Sequence, residues 1–281
     1  TILEAAKTAG IDIPHLCYRE DLPASSACRL CVVGVEGART LTASCSTQAT
    51  NNMTIETDNE RTARARKLVV ELLLSDHDSE CPHDGPDSAC ELGKWARELN
   101  VSGDRFEGER RTYETDDSTP FFMLDHSRCI LCERCVTACN EVQHIGAISF
   151  AHRGFDTKVA TPFDLPLLES ACTSCGQCLS VCPTGAIRLK SPVEQPARVV
   201  DTTCPYCGVG CGIKAKVDSE NRIIEVLEDP ENQSSLGRLC VKGRFGFGFV
   251  NHEDRLTEPL IRLDGELTPA SWDEALDYVA D

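Results

Sequence analysis

Residues 129–139 read CILCERCVTAC, and residues 172–182 read CTSCGQCLSVC. Both stretches place four cysteines in the spacing C-x2-C-x2-C-x3-C. Three cysteines on such a short loop can bind three iron atoms of one [4Fe–4S] cluster, and the fourth cysteine then binds the neighbouring cluster. The repeated run therefore predicts a domain that folds around two [4Fe–4S] clusters.

The repeat also predicts which cysteines share a cluster. One cluster is expected on Cys129, Cys132, Cys135 and Cys182, and the other on Cys172, Cys175, Cys178 and Cys139. Gly-Ala-Ile follows each run, at residues 146–148 and 185–187, so we expect two similar β-turn-α halves. Zinc is disfavoured, because tetrahedral zinc sites use separated C-x2-C pairs and not tight runs of four cysteines.

A different set of four cysteines lies near the start of the sequence, with the spacing C-x10-C-x2-C-x13-C. The set comprises Cys17, Cys28, Cys31 and Cys45. Small residues at 24–27 precede the middle pair, as a loop that lies close to a cluster requires. The pattern resembles the [2Fe–2S] domain shared by the large peripheral subunit of complex I, iron-only hydrogenases and NAD-linked formate dehydrogenases. The resemblance implies a β-grasp ferredoxin fold around one [2Fe–2S] cluster.

A further set follows the two-cluster repeat, with the spacing C-x2-C-x3-C-x28-C. Its members are Cys204, Cys207, Cys211 and Cys240. The surrounding sequences, CPYCGVGC and GRLCVKGRFG, resemble the [4Fe–4S] domain of molybdopterin oxidoreductases. The resemblance implies that Lys242 lies between this cluster and a pterin cofactor and relays electrons between them.

The fifth group departs from its expected pattern. Residues 76–90 read DHDSECPHDGPDSAC, which resembles the H-x3-C-x2-C-x5-C site of a [4Fe–4S] cluster in the same families. His77, Cys81 and Cys90 match the pattern, and Asp84 stands in the place of the middle cysteine. A carboxylate is a harder donor than a thiolate, so we expect a weaker bond from Asp84 to iron.

Three interpretations of this fifth group remain open at the level of sequence. In the first, Asp84 is the fourth ligand beside His77, Cys81 and Cys90. In the second, His83 replaces it, or the site holds an incomplete cluster. In the third, no cluster binds, and the segment forms a helical domain without metal.

Composition limits the class of protein. The 281 residues contain 18 cysteines and carry a formal net charge of −17. So long a chain with repeated C-x2-C runs is not a small disulfide scaffold, and thiolates that bind metal predict the reducing cytoplasm. The acidic charge disfavours nucleic acid and anionic membranes as partners. No apolar run reaches the roughly 18 residues that a membrane span needs.

These motifs predict an α+β, multidomain chain. We expect a β-grasp [2Fe–2S] domain at 1–57, a helical His/Cys [4Fe–4S] domain at 58–118, and a bacterial-type two-cluster ferredoxin domain at 119–195. A small β-rich [4Fe–4S] domain of the molybdopterin-oxidoreductase type is expected at 196–252. Residues 253–281 are expected to begin a catalytic molybdopterin domain that continues beyond the given sequence. Within it, a capping box between Ser271 and Glu274 predicts a helix.

The order of these motifs resembles the large (alpha) subunit of NAD-linked, molybdenum- or tungsten-dependent formate dehydrogenases. The resemblance implies one [2Fe–2S] and four [4Fe–4S] clusters, and a molybdenum or tungsten bis-pterin cofactor that oxidises formate to carbon dioxide beyond residue 281. It further implies two partners: the remainder of the catalytic subunit, and flavin- and NAD-binding iron–sulfur subunits that receive the electrons. No catalytic residue is expected within residues 1–281 other than Lys242 as an electron relay.

Two other functions remain open from the sequence. One is the electron-input arm of a hydrogenase-type complex or of another molybdopterin oxidoreductase. The other is a stand-alone polypeptide for electron transfer. Molybdenum or tungsten in the full-length protein would favour the formate dehydrogenase interpretation over the arm of a hydrogenase-type complex.

Overall fold

A computed structural model describes residues 1–78, 90–191 and 195–281. The chain divides into two compact units, Thr1–Pro192 and Val193–Asp281. In the described residues, short helices alternate with sheets of only two or three strands. The expected mixture of helices and strands is therefore confirmed.

The first unit begins with a helix packed on a small sheet. Helix α1 (Ile2–Thr8) starts at a capping box between Thr1 and Glu4, in which each side chain binds the other residue's backbone N–H. The antiparallel sheet has the order β2-β1-β3, with β1 at Val32–Val35, β2 at Thr42–Ala43 and β3 at Ile55–Glu56. Apolar residues of α1 and β1 form one core together with Cys31 and Cys45.

Two longer helices follow the sheet. Helix α2 (Glu60–Asp76) begins at Asn59, whose side chain accepts a hydrogen bond from the Thr62 N–H. Helix α3 (Glu91–Leu99) ends at Asn100, which adopts the left-handed conformation that often terminates helices. The two helices pack together and share a core with Leu16 and Leu30, which precede β1 in the chain.

The two cysteine runs at 129–139 and 172–182 lie between paired strands. Strand β4 (Phe122–Leu124) pairs antiparallel with β7 (Ile187–Leu189), and β5 (Ser149–Ala151) pairs antiparallel with β6 (Lys158–Ala160). Each run ends in a short helix: α4 (Arg134–Thr137), which continues as a π-helical turn over Ala138–Val142, and α5 (Gln177–Val181). Both runs therefore have a strand before and a strand after them, and the strands of one half pair with those of the other.

The second unit is built on a three-stranded antiparallel sheet. Its order is β10-β9-β8, with β8 at Arg198–Thr203, β9 at Gly212–Val217 and β10 at Ile223–Glu228. Helix α6 (Val241–Phe245) packs against β10. Ile213, Val226 and Leu239 pack with Cys204 in the core.

The end of the second unit is a hairpin and a helix. Strand β11 (Leu260–Leu263) pairs with β12 (Glu266–Pro269), and α7 (Trp272–Ala280) follows. The capping box expected between Ser271 and Glu274 is confirmed at the start of α7. In the described parts of the chain, no helix has both the length and the apolar character required to cross a bilayer.

The remaining helical segments are short 3-10 turns. They lie at Gly103–Arg105, His126–Arg128, Gly154–Asp156, Pro162–Asp164, Leu167–Glu169 and Gly246–Val250. The first packs against α2, the next four lie around the strands of the two-cluster region, and the last follows α6.

Candidate metal centres

The first group of thiols, here called the Cys17 site, consists of Cys17, Cys28, Cys31 and Cys45. All four are buried. The Cys17 N–H donates to the Cys28 Sγ over 3.4 Å, and the Ser26 Oγ lies 3.5 Å from the Cys45 Sγ. The structure therefore brings together four cysteines, and the two most distant in sequence, Cys17 and Cys45, are 28 positions apart.

Hydrogen bonds between these thiols divide them into donors and acceptors. Bonds from Cys28 and then Cys45 hold the pKa of Cys17 far below its ordinary value, and a bond from Cys45 lowers the pKa of Cys31 to about 6. The same contacts raise the pKa of Cys28 and Cys45, because each donates its S–H in a hydrogen bond to a neighbouring sulfur and is therefore harder to deprotonate. Two thiols therefore ionise readily, and the thiolate is the form that binds metal.

The second group, the Cys129 site, consists of Cys129, Cys132, Cys135 and Cys182. These four cysteines line one cavity together with the apolar side chains of Ile130 and Ile187. Burial raises the pKa of Cys129 to about 11 and holds that of Cys135 well above its ordinary value, and the negative charges of neighbouring thiols add to both shifts. Cys182, from the second cysteine run, is one of those neighbours for each of the other three.

The third group, the Cys172 site, consists of Cys172, Cys175, Cys178 and Cys139. Burial raises the pKa of Cys172 and Cys178, and Cys175 and Cys139 raise both further through their charge. Cys139, from the first run, thus lies with the second run, as Cys182 lies with the first. The charge of Cys178 also raises the pKa of Cys135, and that of Cys182 raises the pKa of Cys178, so the two sites are neighbours.

The loops of these two sites share one backbone conformation. Leu131 and Ser174, at equivalent positions of the two runs, have φ of 52° and 53°, and Glu133 and Gly176 have φ of 73° and 76°. The Leu131 N–H and the Ser174 N–H each donate over 3.4 Å to the sulfur two residues before, on Cys129 and Cys172. The left-handed residues therefore turn backbone N–H groups toward the sulfurs, where they stabilise negative charge.

The fourth group, the Cys204 site, lies in the second unit and consists of Cys204, Cys207, Cys211 and Cys240. Burial raises the pKa of Cys211, and the charges of the other three cysteines raise it further, so all four are close together. A Cβ on Gly243 would lie 3.5 Å from the Cys204 Sγ, in ordinary contact, so α6 packs directly against this thiol. Lys242 lies on α6 beside it and is not among the buried residues.

The fifth group, the His77 site, is described only in part. His77 and Cys90 are both buried, whereas Cys81, Asp84 and the alternative ligand His83 lie outside the described residues. Both ends of the intervening segment bind the two-cluster region: the Asp78 N–H donates to the Ser127 carbonyl over 2.9 Å, and the Glu91 N–H donates to the Pro183 carbonyl over 2.8 Å. His77 and Cys90 are therefore held beside the Cys129 site.

The thiols in these groups fit iron–sulfur clusters in number and in chemical type. Among residues 1–78, 90–191 and 195–281, no group of three or more Cys, His, Asp or Glu side chains is arranged to hold one metal ion. The four thiols of the Cys129 site instead surround a cavity. Donor sets of four cysteine thiolates bind [2Fe–2S] and [4Fe–4S] clusters in proteins.

The burial of two arginines beside the cysteine loops could not be predicted from the sequence. Arg66 donates to the carbonyls of Val32 and Thr57 over 3.0 and 2.7 Å, and Arg134 lies within the first cysteine run itself. One signal for Arg134 was present in the sequence: the equivalent position of the second run holds the uncharged Gln177.

Three domain families match the chain in the order of its sites. A 2Fe-2S iron-sulfur cluster binding domain matches residues 1–60, a 4Fe-4S dicluster domain matches residues 123–189, and the molybdopterin oxidoreductase Fe4S4 domain matches residues 197–252. The three matches contain the Cys17 site, the Cys129 and Cys172 sites, and the Cys204 site.

Several relatives are similar to the chain. A subunit of NADH-quinone oxidoreductase from Rhizobium meliloti is 36% identical over 99% of this chain and 33% of its own length. NADP-reducing hydrogenase subunit HndD of Solidesulfovibrio fructosivorans is 44% identical over 66% of this chain and 33% of its own length. A Staphylococcus haemolyticus protein, provisionally named as a formate dehydrogenase, is 29% identical over 99% of this chain and 32% of its own length.

A solved structure is also similar. The crystal structure of an NAD+-reducing [NiFe]-hydrogenase in the H2-reduced state has a TM-score of 0.57 and 28% sequence identity, and the match covers 69% of this chain and 84% of that chain. The chain spans about a third of the length of the curated relatives it matches. The chain is therefore an iron–sulfur module of the type found in molybdopterin oxidoreductases and in NADH-quinone oxidoreductase.

Proposed function

We propose that this chain is the electron-relay arm of an NAD(P)-linked oxidoreductase complex. One observation carries the proposal. Cys17 and Cys28, Cys90, and Cys132, which belong to three different sites, lie in a single buried cluster of side chains. This shared core supports the proposal, because it places residues of three sites in one packed set of side chains.

The residues of the chain bind and insulate the clusters in this proposal. The clusters, when bound, supply one-electron chemistry. Apolar side chains such as Leu16, Leu30 and Leu92 exclude water from the space between sites. Backbone N–H groups, such as those of Ala147 and Ile187 on Cys139 and Cys182, hold the sulfurs and favour the more negative, reduced state.

Within this class we propose formate as the substrate of the complete enzyme. Support comes from the order of the domains, which ends in a molybdopterin-type [4Fe–4S] domain, and from a relative provisionally named as a formate dehydrogenase. Formate would be oxidised to carbon dioxide at a molybdenum or tungsten bis-pterin site held by residues beyond 281. Lys242 remains the predicted relay between that site and the Cys204 site, and flavin- and NAD-binding subunits remain the predicted partners.

A second candidate is the electron arm of a hydrogenase-type complex. The observations that favour it are the 44% identity to an NADP-reducing hydrogenase subunit and the structural likeness to an NAD+-reducing hydrogenase. The two candidates differ in the electron donor and share the relay.

An anaerobic experiment separates these proposals. The full-length protein with its partner subunits is first oxidised. One portion of the sample then receives formate and another receives hydrogen, and the reduction of the clusters is followed by electron paramagnetic resonance (EPR). Reduction by formate, with molybdenum or tungsten in the metal analysis, supports the first candidate. Reduction by hydrogen alone supports the second, and a colourless, iron-free protein contradicts the relay itself.

A further inference from the structure

Arg134 is a buried cation at the meeting point of several cysteine loops. Its side chain is 3% exposed, and its guanidinium donates to both carboxylate oxygens of Glu91 over 2.6 and 2.8 Å. It also donates to the Tyr18 carbonyl over 3.1 Å and to the Val181 carbonyl over 3.5 Å. One side chain thus binds three segments that are distant in sequence.

Each of these partners is next in sequence to a cysteine of a different site. Tyr18 follows Cys17, Glu91 follows Cys90, and Val181 precedes Cys182. Arg134 itself lies between Cys132 and Cys135. A bidentate guanidinium has five donors in a rigid fork, and is therefore suited to hold the Cys17, His77 and Cys129 sites at fixed separations.

We propose that Arg134 is a positioning residue that joins these three sites and makes the Cys129 site easier to reduce than the Cys172 site. The proposal rests on the proposed relay function and adds a direction to it. Electrons that reach the Cys172 site would then move downhill to the Cys129 site, toward the shared core with Cys17 and Cys90.

The charge of Arg134 sets the direction of electron flow in this proposal. A cluster gains negative charge when it is reduced, so a nearby buried cation stabilises the reduced form and raises the reduction potential. The Arg134 charge lies at the site, since Arg134 stands between Cys132 and Cys135 in the chain and its guanidinium donates to the carbonyl of Val181, the residue before Cys182. Glu91 partly cancels this charge, but its side chain is 40% exposed, and water screens it more than it screens Arg134.

The second cysteine run has no cation at the equivalent position. Gln177 occupies the position equivalent to Arg134 and is similarly buried, at 1% exposure, but carries no charge. The two loops have the same backbone conformation. The replacement of a cation by a neutral amide is therefore a difference in charge between the two sites that comes from the sequence.

The test exchanges single charges in the cluster-loaded, full-length protein and measures the midpoint potential of each cluster by EPR-monitored redox titration. Arg134→Gln copies the residue of the second run and is expected to lower the potential of the Cys129 site and to narrow its gap to the Cys172 site. Glu91→Gln removes the opposing charge and is expected to raise the same potential. Arg134→Lys keeps the charge and is expected to retain most of the potential while it loses the bidentate contact.

Arg66→Gln is the matched control. Arg66 is also buried and also joins segments through carbonyl oxygens, but it contacts the carbonyl of Val32, the residue after Cys31, and so lies at the Cys17 site. It is expected to shift the potential of the Cys17 site and to leave that of the Cys129 site unchanged.

Opposite shifts in Arg134→Gln and Glu91→Gln support the proposal, because damage to the fold would not reverse sign between the two variants. Unchanged potentials in both variants, or shifts of the same sign, overturn it. If Arg134→Gln does not fold, Glu91→Gln and Arg134→Lys still decide the outcome. Failure of the relay function itself is seen separately, as absent cluster signals in the unsubstituted protein.

Discussion

The Ser25 hydroxyl donates a hydrogen bond to the Cys132 carbonyl oxygen over 3.3 Å. Ser25 belongs to the small-residue loop of the Cys17 site, and Cys132 belongs to the Cys129 site, so one hydroxyl joins the two. The pKa of Cys17 is lowered first by Cys28 and then by Cys45, and a hydrogen bond from Ser25 contributes to the same shift. Ser25 therefore contacts a thiol of one site and the backbone of the other.

Loss of this hydroxyl should weaken the connection between the two sites. In Ser25→Ala we expect slower electron exchange between the Cys129 and Cys17 sites, with unchanged iron content and a stability loss of about 1 kcal/mol for one hydrogen bond. Freeze-quench EPR would follow the [2Fe–2S] signal after rapid reduction. The control is Ser75→Ala, since the Ser75 hydroxyl binds a carbonyl of its own helix, that of Leu72. Equal rates in the two variants would remove Ser25 from the path.

The left-handed residues of the cysteine loops predict opposite effects of two substitutions. Glu133 and Gly176 have φ of 73° and 76° at equivalent positions, and a side chain in this conformation costs about 1–2 kcal/mol. Glu133→Gly should therefore stabilise the two-cluster domain by about 1 kcal/mol, and Gly176→Ala should destabilise it by a similar amount. Denaturant titrations followed by cluster absorbance measure both. A loss of stability in Glu133→Gly would contradict the strain argument.

The grouping of the cysteines could be predicted from spacing, whereas the contacts between the sites could not. The exchange of Cys139 and Cys182 between the two runs follows from how far each short loop reaches. The contacts of Arg134 with Tyr18 and Glu91 join residues that are 116 and 43 positions apart, and no local pattern encodes them.

Backbone conformation in the cysteine loops could also be predicted only in part from the sequence. Gly176 signals a left-handed residue by its type, because glycine adopts positive φ without steric cost. Leu131 and Ser174 adopt the same conformation with side chains that disfavour it. The surrounding loop holds them there, so only the folded chain reveals that their N–H groups donate to sulfur.

The buried His126 predicts a loss of stability on mild acidification. Burial lowers its pKa, and the positive charge of Lys158 contributes. The unfolded chain, with an ordinary pKa of about 6.5 for this histidine, then binds a proton that the folded chain excludes, so stability falls as pH drops through about 6.5.

His126→Gln should flatten this dependence, and it retains a donor for the Val159 carbonyl that His126 contacts over 2.7 Å. Unfolding free energies between about pH 5.5 and about pH 7.5, one unit either side of that ordinary value, measure the slope. His252→Gln, an exposed position in the second unit, is the control. An unchanged slope in His126→Gln would show that other groups cause the acid sensitivity.

The departure at Asp84 gives a prediction about metal content. One [2Fe–2S] and four [4Fe–4S] clusters contain about 18 iron atoms, and a chain without a cluster at the His77 site contains about 14. Because a thiolate is a softer ligand than a carboxylate, Asp84→Cys should strengthen iron binding there and sharpen the signal of that cluster.

Cys90→Ser is the matched control for Asp84→Cys. Cys90 is 1% exposed and is packed with Cys17, Cys28 and Cys132, so its replacement should remove the fifth signal and leave the other four clusters in place.

Iron analysis together with EPR of the reduced protein distinguishes the three interpretations of the site. About 18 irons before the exchange and a sharper signal after it would identify Asp84 as a ligand. About 14 irons before and about 18 after would mean that the natural site is empty and that the lost thiolate is the reason. A signal that is present before the exchange and unchanged by it would exclude Asp84 as a ligand and support the second interpretation, in which His83 replaces it or the cluster is incomplete.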